Sequence, residues 1–81
     1  MTIRFTKHAL HVMAERELPA EWAERTVTAP DWTEPDAENP TLTRSFKRIA
    51  EAGHRVLRVV HRPDGADTLV ITAFLDRGAK P

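Results

Sequence analysis

HRVLRVVHRPDGADTLVITAFL, residues 54–75, decides the fold. Two runs rich in Val, Leu and Ile flank R-P-D-G-A-D, where Pro fixes φ and Gly is free to turn left-handed. The runs read as the two strands of a hairpin, over 54–62 and 67–75. Alternation assigns their faces. In the later strand Leu69, Ile71, Ala73 and Leu75 are expected to face the core, and Thr68, Val70, Thr72 and Phe74 to face away. In the earlier one Leu57 and Val59 form the core pair. His54, Val56, Arg58, Val60 and Arg62 then share the open face.

Upstream, 41–49 reads as a further strand, joined through a tight Ala52-Gly53 turn in which Gly takes positive φ. Arg44, Phe46 and Arg48 share one of its faces and Ile49 takes the other, which suggests a bulge. Two successive hairpins make an antiparallel meander. Before them, 31–40 is a loop of acidic and Pro-containing turns, with a short strand around 32–34. The first thirty residues are helical in pattern. Ile3 to Phe5 reads as an edge strand and Thr6 offers an N-cap. Ala9, Leu10, Met13 and Ala14 are spaced to share one helix face. Glu17-Leu18-Pro19 stops that helix, because Pro disfavours a helical residue before it. A second helix spans 20–28, with Trp22, Ala23, Thr26 and Val27 as its buried stripe. The expected class is α+β, two N-terminal helices on one face of a small antiparallel meander. Residues 1–76 form one domain and 77–81 a polar tail that frays.

Composition removes several functions. The 81 residues carry 12 basic and 12 acidic side chains and no Cys. Thiolate chemistry and disulfides are therefore absent. No apolar run spans a bilayer and MTIRFTKH lacks a secretory h-region, so no membrane partner is expected and a cytoplasmic bacterial-type protein is the simplest reading. The charge is segregated. Glu15 to Glu38 carries −6 and Asn39 to Pro63 carries +5. The halves attract each other on folding, or the basic half faces an anionic partner.

Candidate chemistry follows from that basic half. Arg58 sits in mid-strand, with Arg62, Arg44 and Arg48 around it and Phe46 and Phe74 nearby. Guanidinium groups beside aromatic rings suit a phosphate backbone with stacked bases. The competing reading is an ordinary sheet face solvated by long charged side chains. Among the histidines, His8 and His11 stand one helical turn apart, but nothing completes a metal site around them. His54 and His61 lie on the strands, and any imidazole can exchange protons near neutral pH. Ser45, the only serine, has no nucleophile elbow around it. With three glycines, none clustered, there is no phosphate loop and no nucleotide cofactor is expected. His8 and Arg16 lie two turns apart on the first helix, about 12 Å along its axis. They cannot form one site by touching. Arg16 is expected to hold the helix to the closing carbonyls or to the acidic loop. His8 is expected to hydrogen-bond near Thr6 or the sheet, and is the one of the pair suited to chemistry.

The runs FTKHALHVMAEREL, PAEWAERTVTAPD, FKRI, GHRVLRVV and TLVITAFLD together resemble a small bacterial domain-of-unknown-function family (the 4258 type), usually placed near the BrnT and RelE/ParE toxins. The likeness covers about Ile3 to Arg77. His8 and Arg16 match the family's H-A-x-x-R/V-M-x-x-R pattern, and Thr72, Ala73 and Phe74 match its threonine-alanine-aromatic run. The chain departs from the family at the helix junction, commonly Gly-Ile-Ser and here Glu17-Leu18-Pro19. It also has no Tyr, a residue several RelE-type ribonucleases use. The resemblance implies a RelE-type helix-helix-sheet fold. By analogy it implies a toxin of a toxin-antitoxin pair, cleaving RNA through the ribose 2′-hydroxyl without metal or cofactor.

Two functions fit these observations. The first is a ribonuclease toxin, with His8, His54 and Arg58 in catalysis and Arg44, Arg48, Arg62 and Phe74 holding RNA, and with Arg16 and Trp22 structural. A cognate antitoxin is its implied partner. The alternative is a non-catalytic protein- or RNA-binding module. DNA reading is weaker, because a helix carrying Glu21 and Glu24 is a poor probe of a groove.

Overall fold

In the computed structural model, which describes residues 2–81, the elements run β1 (Ile3–Phe5), α1 (Lys7–Glu15), α2 (Ala20–Thr28), β2 (Trp32–Pro35), β3 (Thr43–Ile49), β4 (Arg55–Asp64) and β5 (Asp67–Leu75). The strands form one sheet in the order β1-β5-β4-β3-β2. The meander β3-β4-β5 is antiparallel throughout, and β2 joins it antiparallel beside β3. β1 runs parallel to β5, so the sheet as a whole is mixed. α1 packs on β5, and α2 on β4 and β3. The class is α+β, with both helices on one face of the sheet.

Local chemistry explains the turns. Gly65 takes φ 62° in the two-residue β4–β5 connection. Positive φ at the first central residue is the pattern of a tight hairpin turn that twists with its strands. Between β3 and β4 a single 3-10 turn (Ala50–Ala52) leads into Gly53 at φ 70° and then His54 at φ 62°. β4 therefore begins at Arg55, with His54 held in the turn. At the end of α1, Leu18 N donates to Met13 O and Glu17 N to Ala14 O, closing the helix as a Schellman motif. Glu17 occupies its left-handed position, φ 55°. This is the junction where the resembling family commonly places Gly.

Two expected faces need correction. β3 alternates regularly from Thr43 to Ile49 and has no bulge. The irregularity lies in β5 instead. Val60 pairs with Thr72 and His61 with Val70, so Ile71 is the extra residue. A one-residue slip moves every side chain beyond it to the other face. Val70, expected outside, is therefore in the core at 0% exposure, among Leu57, Val59, Ile49 and Ala73. In α1 the buried stripe is Ala9, Val12 and Met13. Leu10 is 53% exposed and Ala14 is also outside. The stripe is turned by about one residue from the expected one, because α1 lies along the outer edge of β5 and meets it with its Val12 side. Trp22 and Val27 pack partly buried against this core.

α1 also closes an edge. β1 covers β5 only from Thr68 to Val70. Beyond it, Thr6 Oγ1 donates to Ile71 O at 3.2 Å and Arg16 Nη1 to Ala73 O at 3.2 Å. Exposed carbonyls of an edge strand invite another strand, and side-chain donors blunt that invitation. Arg16 thus reaches the sheet backbone, and not the acidic loop.

Candidate functional site

The open face is built of rows that cross the strands. The central row is Trp32, Phe46, Arg58 and Phe74, one residue from each of β2 to β5. The Trp32 and Phe46 rings stack with centroids 4.8 Å apart and planes 7° from parallel. The Arg58 guanidinium carbon lies 5.9 Å from the Phe46 centroid and 5.0 Å from that of Phe74. Its Nη1 donates to Asp76 Oδ2 at 3.0 Å. Arg58 is therefore clamped between two rings and one carboxylate.

The neighbouring row holds Glu34, Arg44, Val60 and Thr72. Arg44 Nε donates to Asp36 Oδ1 at 2.9 Å, and Nη1 to Glu34 Oε1 at 3.4 Å. The Arg44 hydrogen bond holds the Asp36 carboxyl below its ordinary pKa, helped by the backbone N–H groups of Asn39 and Glu38. Arg44 thus anchors the 36–42 loop. Arg62 lies towards the β4–β5 turn, where its Nη1 donates to Pro63 O at 3.1 Å and stands 4.0 Å from Asp64 Oδ1, an ion-pair distance. Asp64 is itself bound by Arg4.

The other end of the sheet differs. The row Arg48, Val56 and Asp76 leads to a depression of about 390 Å³ lined also by His54, Arg55, Leu75, Arg77 and Ala79. Arg48 Nη1 reaches only His54 O, at 3.4 Å, and Arg55 Nε only Ala52 O, at 2.8 Å. The Arg48 backbone N–H donates to Asp31 Oδ2 at 2.8 Å, but among the described residues none of the guanidinium groups of Arg48, Arg55 and Arg77 has a carboxylate partner. The one carboxylate present, Asp76, is committed to Arg58. Its Oδ1 also accepts from Gly78 N at 3.0 Å, which folds the segment after β5 over the depression. Three guanidinium groups without a carboxylate partner, beside an imidazole, are an arrangement that can attract an anion. Phosphate oxygens fit it, since guanidinium donors bind them with charge-assisted bonds.

Of the residues expected at a site, Arg48 and His54 come together here, and Arg58 stands one row away behind Asp76. Arg44 and Arg62 belong to other parts of the face. His8 is exposed in the first turn of α1, its side chain makes no hydrogen bond with a described residue, and it lies by the Val70 end of β5, away from the depression. Arg55 and Arg77 were missed. Alternation placed Arg55 on the helix side and Arg77 in a tail, and only the end of the sheet brings both round to His54.

A second constellation sits on the helix face. Ser45 Oγ and His61 Nε2 are 2.7 Å apart across β3 and β4. Burial pushes the His61 pKa down, so its ring stays neutral to lower pH. Ser45 is 1% exposed, which denies any substrate access to its hydroxyl. No group of three or more described His, Asp or Glu residues is arranged to hold a metal ion. No helix among the described residues is long and apolar enough to cross a membrane.

No curated protein and no solved structure matches the chain. One family model does match, that of the domain of unknown function DUF4258, over residues 5–75. That interval holds both helices, four of the five strands in full and every basic residue of the depression except Arg77, and the chain belongs to the DUF4258 family.

Proposed function

We propose that the protein binds RNA at the Arg48–His54–Arg55–Arg77 depression and cleaves it there, as the resemblance to toxin ribonucleases implies. The observation that supports this is a set of three guanidinium groups without a carboxylate partner that line one depression with the exposed His54. The arginines hold a phosphodiester and oppose the charge that grows on its oxygens during displacement. His54 takes the proton of the ribose 2′-hydroxyl. The O2′–P bond forms and the P–O5′ bond breaks. The proton passes to O5′, leaving a 2′,3′-cyclic phosphate and a 5′-hydroxyl end. The backbone supports the role of His54, because a non-glycine residue at φ 62° stores strain of about 1 kcal/mol that a Gly would relieve.

The test is expression in a bacterial host with growth and RNA integrity followed, beside incubation of purified protein with single-stranded RNA. Parent protein is expected to arrest growth and degrade RNA. His54→Gln is expected to bind RNA without cutting it, and Arg48→Ala with Arg55→Ala to do neither. Intact RNA with the parent protein overturns cleavage. Equal RNA binding by the double variant and the parent overturns the site.

A second reading is a module that binds without turnover. It draws support from Arg58, the expected catalytic cation, being sealed behind Asp76. It would show as unchanged RNA affinity on His54→Gln with no cleavage by the parent. The cognate antitoxin implied by the resemblance is tested in the same host, as a small protein that co-purifies and restores growth.

A further inference from the structure

The outer edge of β5 carries a second depression, of about 310 Å³, lined by Arg16, Leu18, Phe74 and Leu75. Its position follows from the strand. Asp76 N donates across to Val56 O, so Asp76 and Phe74 turn their backbone groups to β4. Ala73 and Leu75 turn theirs outward, past the end of β1. Arg16 Nη1 holds the Ala73 carbonyl, and Leu18 forms a buried apolar wall. The Phe74 ring carries the Arg58 guanidinium 5.0 Å from its centroid, and Phe74 also lines this depression. Leu75 lines this depression and the basic one alike, so the two lie on either side of one residue at the end of β5.

We infer that this second depression receives a nucleobase of the same RNA strand whose phosphate lies among Arg48, Arg55 and Arg77. The inference rests on the RNA reading above and adds the strandedness of the substrate to it. A base needs a flat aromatic wall, an apolar floor and a polar rim, and Phe74, Leu18 with Leu75, and Arg16 supply these in turn. The volume lies at the lower end of the roughly 300–1,000 Å³ typical of small-ligand sites. A peptide strand added to β5 would need the Ala73 carbonyl, and Arg16 already holds it. Only an unpaired nucleotide can place its base there, so duplex RNA, whose bases stay stacked, binds weakly.

The experiment measures fluorescence anisotropy of three labelled probes: a short oligouridine, an abasic oligoribonucleotide of equal length, and a perfect RNA duplex. The proteins are the parent, Phe74→Leu, Phe74→Tyr, and Arg48→Ala with Arg55→Ala, each shown folded by its thermal melt. The parent is expected to prefer oligouridine over the abasic probe by about ten-fold. Phe74→Leu removes that preference and leaves the abasic probe unchanged, while Phe74→Tyr keeps it. The double arginine variant weakens both single strands together. Equal binding of oligouridine and abasic probe by the parent overturns the inference and leaves the phosphate site standing. So does tighter binding of the duplex than of oligouridine. No binding of any probe by the parent overturns the RNA reading and this inference with it. If a labelled Val-Thr repeat peptide binds in their place, and Phe74→Leu weakens it, the slot belongs to a protein strand.

Discussion

In the middle of the open face, Arg44 and Arg58 each hold a carboxylate, at 2.9 and 3.0 Å, whereas the guanidinium groups of Arg48, Arg55 and Arg77 around the end of the sheet hold none. The residue type is the same and the surroundings differ. A guanidinium flanked by strands on both sides loses water and is costly unless a carboxylate and hydrogen bonds replace it. At the end of a sheet the group keeps its water and needs no partner. The charge of the central arginines is therefore spent on the fold, and the charge at the end remains available to a ligand. A count of arginines along the strands does not show this, because it weights all of them equally.

The largest test of this contrast is Arg58→Ala. It leaves Asp76 unmatched and opens a gap between Phe46 and Phe74, and is expected to cost about 2 kcal/mol by urea unfolding, the partial exposure of the pair being allowed for. Replacing both partners, Arg58→Met with Asp76→Leu, is expected to recover most of that loss. A cost within about 0.5 kcal/mol for Arg58→Ala would mean that centre and end do not differ.

The next effect is a gain. His54→Gly and Glu17→Gly each place glycine at a left-handed position, φ 62° and 55°. Each is expected to raise stability by about 0.5–1 kcal/mol. Only His54→Gly is expected to abolish RNA cleavage, so a parallel loss with Glu17→Gly would detach the strain at His54 from its role.

A pH series separates the helix face from the open one. His61 has its folded pKa depressed below 6.5 by burial. The unfolded chain then binds its proton first as pH falls. Stability is complete above about 6.5 and declines on acidification through the folded value, by at most about 1.4 kcal/mol per pH unit for one proton. His61→Gln is expected to remove that decline while the Ser45 hydrogen bond is kept. The comparison is made above about pH 5, where carboxylates remain charged. Glu51 enters only lower, since the Arg25 hydrogen bond holds it at about 2.

The smallest stability effect is expected where the functional effect is large. Arg48→Ala with Arg55→Ala should change stability by no more than about 0.5 kcal/mol. It should lower the salt dependence of RNA binding by about 0.7 in slope for each phosphate that the protein no longer neutralises. A large fall in stability would return these two arginines to the structural class of Arg58.

Much of the fold was legible because its signals are local. Period-two alternation in 54–75, the R-P-D-G-A-D turn, Gly53, the Thr6 cap and the Pro19 stop all act within a few residues of themselves. They gave five strand positions, two helices and their order. Arg48 and His54 could also be named, since the basic half and the Gly turn are visible in the chain. The site around them was less legible. Arg55 and Arg77 lie 22 positions apart in sequence and meet only where β4 begins and β5 ends.

What the sequence determined by itself is thus the set of elements, because backbone sterics, turn chemistry and apolar spacing are properties of neighbours along the chain. The tertiary structure alone decided three things. The extra residue at Ile71 carried Val70 into the core, since register depends on how two strands pair and a slip of one residue inverts the faces. The packing of α1 along the edge of β5 buried Val12 and left Leu10 outside. And the alignment of β2, β3, β4 and β5 gave Arg44 and Arg58 their carboxylates while it left the guanidinium groups of Arg48, Arg55 and Arg77 without any, because the energy of a charge depends on what stands across from it in space.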